Sequence, residues 1–114
     1  MSYKAKQGDI IWINFDPQAG IEQKGRRPAI VVSNETFNTF TKRGAMICPI
    51  TNTDRGIPLH VNLDDRTKTT GVILTDQAKI LDLTQRNAAY IEKAPKEIIL
   101  EVIDIISGFI EIEE

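Results

Sequence analysis

Glu22, Gln23, Lys24, Arg26 and Arg27 stand directly in front of the apolar run PAIVVS, with Pro28 as the hinge. The residue before a proline is pushed toward extended backbone, so Arg27 is held straight, its guanidinium aimed away from the chain at the mouth of a strand. Gly25 permits a turn that brings Glu22 back toward it. A planar, permanently charged fork beside a carboxylate suits a phosphate while a neighbouring base takes a proton. A purely structural Glu22–Arg27 ion pair at the strand start is the competing reading. Metal-free cleavage of RNA requires deprotonation of the attacking 2′-hydroxyl, charge stabilisation on the phosphorane, and a proton for the leaving 5′-oxygen. Arg27 can serve the second need and the third, and one preorganised donor at such a transition state is worth about 3–4 kcal/mol. Thr51 and Thr53, in PITNTDRG, offer hydroxyls just after another apolar run, either as partners at the site or as ordinary turn residues.

These side chains need strands to carry them. DIIWINFD mixes alternation with Ile, Trp and Phe, which predicts a half-buried first strand ended by Pro17 and Gly20. RPAIVVS is β-branched and nearly continuous in apolar character, the mark of a central strand covered on both faces. SNETFNTFTKRG is polar and rich in turn formers, so a loop is expected. AMICPIT predicts a third strand stopping near Pro49, which lacks the N–H a ladder needs. LHVNLDD reads as a two-faced strand, and GVILTD and AKILDL as strands meeting at a bulge around Gln77 and Ala78. From Pro95 onward Ile98, Ile99, Val102, Ile103, Ile106, Phe109 and Ile110 recur at three and four, which predicts a helix. Pro95 suits its first turn, whereas Glu111, Glu113 and Glu114 oppose the dipole at its far end. The expected fold is mainly β with a terminal α-helix: a small, strongly bent antiparallel sheet or partly open barrel plugged by the helix.

At 114 residues and 41% hydrophobic, with no repeat or low-complexity linker, one domain over residues 1–114 is expected. No apolar run is long enough to span a bilayer and the first ten residues lack the apolar core of a secretory signal, so a cytoplasmic protein is expected. Cys48 stands alone in an apolar run and reads as a buried thiol; with one histidine and no ligand pair, no metal site is expected. The net charge of −2 weakly opposes unselective nucleic-acid binding. It hides an asymmetry: residues 1–70 carry ten Lys and Arg against seven Asp and Glu, and residues 71–114 carry four against nine. A basic face therefore remains open to an anionic partner. His60, on its alternating segment, is expected to be an exposed strand residue with no catalytic part. Trp12 and Phe15 are read as core packing in preference to base stacking. Lys42, Arg43, Arg55, Arg66 and Lys68 fall in expected loops, where they are solvated or hold an RNA backbone by charge alone.

The stretch GDIIWINFDPQAGIEQKGRRPAIVVS also resembles the opening of the MazF/PemK toxins of bacterial toxin–antitoxin systems, whose pattern is a G-[DE]-[IV] strand, a D-P turn, a G-x-E-Q-x-G-x-R-P loop and a β strand. The likeness continues through CPITNT and GVILTDQAKILD to the terminal helix. The resemblance implies a homodimer with an SH3-like barrel core. It implies an endoribonuclease that needs no metal or other cofactor, cuts single-stranded RNA at a preferred sequence, and leaves a 2′,3′-cyclic phosphate and a 5′-hydroxyl. A cognate antitoxin with a disordered acidic tail would silence it. Residue by residue, it assigns catalysis to Arg27 and Thr51 and matches Glu22, Gln23, Asp76 and Gln77 to groove positions of relatives. Glu22 is expected as the third catalytic residue, and Gln23, Asp76 and Gln77, together with the basic or hydroxyl residues Lys24, Arg26, Thr53 and Arg55, are expected to bind RNA. Two positions depart from relatives. Ile21 stands where serine or histidine is common, and Leu74 where some members carry an arginine, which shifts the burden toward Glu22 and Arg27. A non-enzymatic, CcdB-like poison of gyrase and an inactive relative are the alternatives.

Overall fold

The computed structural model describes residues 3–15, 25–53, 56 and 59–114. Its strands are β1 (Asp9–Asn14), β2 (Arg26–Val31), β3 (Gly44–Thr51), β4 (Val61–Asn62), β5 (Val72–Ile73), β6 (Lys79–Asp82) and β7 (Ala89–Lys93), with helices α1 (Glu35–Thr41) and α2 (Lys96–Phe109). The strands lie in the order β4-β5-β3-β2-β1-β7, and β6 pairs with β3. Every pairing is antiparallel. Among the described residues no pairing joins β4 to β7, so the bent sheet stays open.

Strand alternation sorts the apolar residues into two cores. Ile10, Ile30, Cys48 and Ile50 meet Ile98, Ile99 and Val102 of α2 on one face. Ile11, Ile13, Phe15, Ala29, Val31, Ala45 and Ile47 face the other way and are covered by Leu83, Tyr3 and Ala88. Because β2 feeds both cores, its last three residues are all buried, and the central, two-sided position expected for it holds. Cys48 is fully buried, also as expected.

Three expectations give way. The SNETFNTFTKRG segment holds α1 instead of a loop. The Asn34 side chain caps the helix by accepting from the Phe37 N–H at 2.9 Å, and buried Asn38 donates to the carbonyls of Ala5 and Ser33. Polar caps and a buried amide hold this helix, so apolar periodicity carried no trace of it. Strand β3 does not stop near Pro49 but runs through it to Thr51. The missing N–H falls where β3 changes partner from β6 to β5, and the Pro49 carbonyl still accepts from the Leu74 N–H at 2.9 Å. Trp12 is 42% exposed, whereas Phe15 is fully buried, so only the latter packs as expected. Between β5 and β6 the anticipated break is a 3-10 turn, Thr75–Gln77.

Candidate functional site

Arg27 is exposed at the first, solvent-facing end of β2, opposite Ile13 of β1. On its other side β2 pairs with β3 through Ala29↔Pro49, Ile30↔Cys48 and Val31↔Ile47. The β2–β3 pairing ends at Ala29↔Pro49, so Arg27 and Thr51 each stand two residues beyond it, at the same end of the two neighbouring strands and in phase with Ala29 and Ile47. The register thus brings the arginine and the threonine to one end of the sheet.

Thr51 is 6% exposed, and its Oγ1 accepts from the Thr53 N–H at 3.2 Å. A hydroxyl has one donor and two acceptor lone pairs, so this contact leaves its proton to donate. Beneath it, Gly71 runs so close that an added Cβ would stand 2.4 Å from the Thr51 carbonyl oxygen. Asn52, next in the chain, is tied to the same neighbour strand by the Thr70 hydroxyl at 3.0 Å. The end of β3 is therefore set by backbone contact.

A further cation joins this face. Lys79 lies opposite Ile47, and its Nζ sits 5.9 Å from the centroid of the Phe15 ring. The sequence reading did not single it out. Its alternation with Leu81 in AKILDL, opposite in phase to exposed Ile80, was the available signal.

The remaining assigned residues separate. Arg26 donates to the Asn87 carbonyl at 2.7 Å, which fastens the start of β2 to the turn before β7. Asn87 has a positive φ of 51°, and the neighbouring Arg86 donates to the Asn14 carbonyl at 3.2 Å. Thr53 is exposed beside Thr51. Asp76 and Gln77 ride on the 3-10 turn that crosses β3 near Pro49. Glu22, Gln23, Lys24 and Arg55, with Ile21, lie outside the described residues.

His60 corrects its expectation. Strand β4 begins only at Val61, so His60 lies where the chain crosses the 75–77 turn, and its side chain is 4% exposed rather than solvated. Its Nε2 stands 3.2 Å from Oδ1 of Asp76. The Thr75 hydroxyl donates to the Leu59 carbonyl at the same crossing. A few kilocalories' worth of polar contacts thus joins two segments that sequence alone keeps apart. No cluster of three or more metal-ligating side chains exists among the described residues.

An open antiparallel sheet backed by one C-terminal helix, with an arginine and a threonine at the outer ends of its central strands, defines a class of small, mainly β proteins. The chain belongs within that class to the PemK-like, MazF-like toxins of type II toxin–antitoxin systems, whose family model matches residues 6–109. It is 40% identical over 87 residues to the endoribonuclease toxin MazF of Escherichia coli K12, covering 75% of this chain and 76% of that protein. The crystal structure of MazF from Deinococcus radiodurans superposes with a TM-score of 0.87 at 36% identity, over 95% of this chain and 97% of that one. A MazE–MazF structure from the same organism gives a TM-score of 0.82 at 29% identity, over 98% and 100% of the two chains.

Proposed function

We propose that this toxin is an endoribonuclease that cuts single-stranded RNA at a preferred sequence by attack of the 2′-hydroxyl, leaving a 2′,3′-cyclic phosphate and a 5′-hydroxyl, with no metal or other cofactor. The observation that supports the reading is that exposed Arg27 and the oriented hydroxyl of Thr51 stand at the same end of the neighbouring strands β2 and β3. The Arg27 guanidinium delivers the proton that the leaving 5′-oxygen takes up and meets the charge that builds on the phosphorane, its fork fitting two phosphate oxygens at once. Thr51 donates its free proton to the same group, held in direction by the Thr53 N–H. Lys79 raises the local positive potential that draws the backbone in. Glu22 is assigned the base that takes the 2′-hydroxyl proton, and Gln23, Lys24, Arg55, Asp76 and Gln77 the contacts to RNA. Arg26, engaged with the Asn87 carbonyl, acts chiefly by holding β2 in place.

The working unit is one domain over residues 1–114, paired as a homodimer and silenced by a cognate antitoxin, in the cytoplasm. No helix among the described residues is long and apolar enough to cross a membrane. The endoribonuclease name carried by the E. coli relative does not favour the gyrase-poison alternative.

The test is digestion of a long single-stranded RNA in EDTA, with both new ends mapped, by wild type, Arg27→Ala and Thr51→Ala. Wild type should cut at a short recurring sequence. Both variants should fold and cut at least about a hundredfold more slowly. Cleavage by Arg27→Ala at the wild-type rate removes the guanidinium from the mechanism. Soluble wild type that neither cuts RNA nor arrests growth on induction identifies an inactive relative.

A further inference from the structure

Nothing in the proposed chemistry gives His60 a task, yet it is the chain's one histidine and its side chain is 96% removed from solvent. Its Nε2 faces Asp76, while its Nδ1 is buried without a hydrogen-bond partner among the described residues. A carboxylate only accepts, so the ring nitrogen facing it carries the proton. The contact therefore puts a proton on Nε2.

Asp76 is pinned on one side only. Oδ1 takes the imidazole, Oδ2 has no hydrogen-bond partner among the described residues, and the side chain is 36% exposed. The Thr75–Leu59 contact fastens the same crossing through the backbone, so the turn keeps its place even without the imidazole. What the ring adds is the direction of one carboxylate.

We propose that His60 is a positioning residue that holds Asp76 as an oriented acceptor, and that the outward Oδ2 reads an N–H donor on one RNA base, setting sequence preference and not the rate of bond cleavage. This rests on the nuclease reading above. The favoured base presents an exocyclic amino group, as adenine, cytosine and guanine do, and uracil is disfavoured because its one donor, N3–H, sits between two carbonyl oxygens that repel a carboxylate.

Two measurements test it. With a single histidine, nitrogen-15 NMR of the RNA-free protein reports one imidazole. A proton on Nε2 is expected, with a signal that moves in Asp76→Asn, and a ring that carries its proton on Nδ1 alone overturns the proposal. Kinetics on RNAs varied at each position of the cut site follow, using His60→Leu, His60→Gln and Asp76→Asn. His60→Leu should raise KM for the preferred base about tenfold, with kcat held within about twofold and discrimination at that one position falling in step. His60→Gln, which keeps an N–H within reach, should restore most of the preference. His60→Leu should add nothing further in an Asp76→Asn background. Loss of kcat with intact base preference overturns the proposal. If His60→Leu does not fold, His60→Gln and the NMR readout carry the test. Binding of the same RNAs with 2′-deoxyribose at the scissile position separates the two readings. Base-selective binding without cleavage by wild type sinks only the nuclease; base preference untouched in His60→Leu sinks only the role of His60.

Discussion

Replacing Gly71 by alanine asks whether Thr51 owes its position to the backbone that runs beneath it. The new Cβ would lie 2.4 Å from the Thr51 carbonyl oxygen and 2.9 Å from its carbon, where real Cβ contacts do not fall below 3.0 Å. The chain must open by about 0.6 Å, and the obstacle is backbone, which cannot swing aside as a side chain would. Gly71 also has φ of +120°, where an L side chain is strained at a cost of about 1–3 kcal/mol. Overpacking adds about 1–3 kcal/mol more. A loss of about 2–6 kcal/mol corresponds to a fall in Tm of about 10 °C or more for a chain of this size. A shift of 1 Å in a catalytic group is worth about a hundredfold, so about half that displacement at Thr51 should cost roughly tenfold in kcat/KM. Thermal unfolding by circular dichroism and RNA cleavage well below the lowered Tm give the two readouts. A Gly71→Ala protein that melts within about 2 °C of wild type and cuts at the wild-type rate would refute the reasoning, because the strands would then have room that the register denies them.

Two further outcomes follow from the same coordinates. Gly108 lies in the last turns of α2 with nothing within 4 Å of an added Cβ and no positive φ, so Gly108→Ala should stabilise by about 0.5–1 kcal/mol, read as a higher urea midpoint with an unchanged slope. Burial, then the charge of Asp76, pushes the Cys48 thiol up to about 12. An unfolded thiol ionises near about 8.5, so this group's contribution is intact below that pH and is lost as pH rises toward about 12. Urea titrations at stepped pH should show a steeper alkaline loss in wild type than in Cys48→Ala. Iodoacetamide at pH 8 should label Cys48 only after unfolding.

The basic stretch was legible because proline, glycine and arginine each constrain the chain locally. Pro28 straightens Arg27, and the alternation of β2 settles which neighbours face which core. The helix α2 announced itself through isoleucines at helical spacing, since a long amphipathic face is a one-dimensional pattern. Helix α1 did not. Its cap at Asn34 and its buried amide at Asn38 are satisfied by Phe37, Ala5 and Ser33, and such polar contacts leave no period in the apolar residues.

The site divides along the same line. The linear order of residues determined that a permanently charged arginine would stand extended at a strand mouth, that a threonine would lie close to the end of the third strand, and that apolar runs would form a sheet and a helix, because each depends on neighbours a few positions away. Tertiary structure decided what those residues meet. The antiparallel register brings Thr51 and Arg27 to one end of the sheet, the bare backbone of Gly71 sets the height of Thr51, and the crossing of residues 59–60 over the 75–77 turn takes His60 out of water and onto Asp76. Such encounters join segments far apart in the chain. They follow from pairing and packing of the whole sheet, which no local preference can specify.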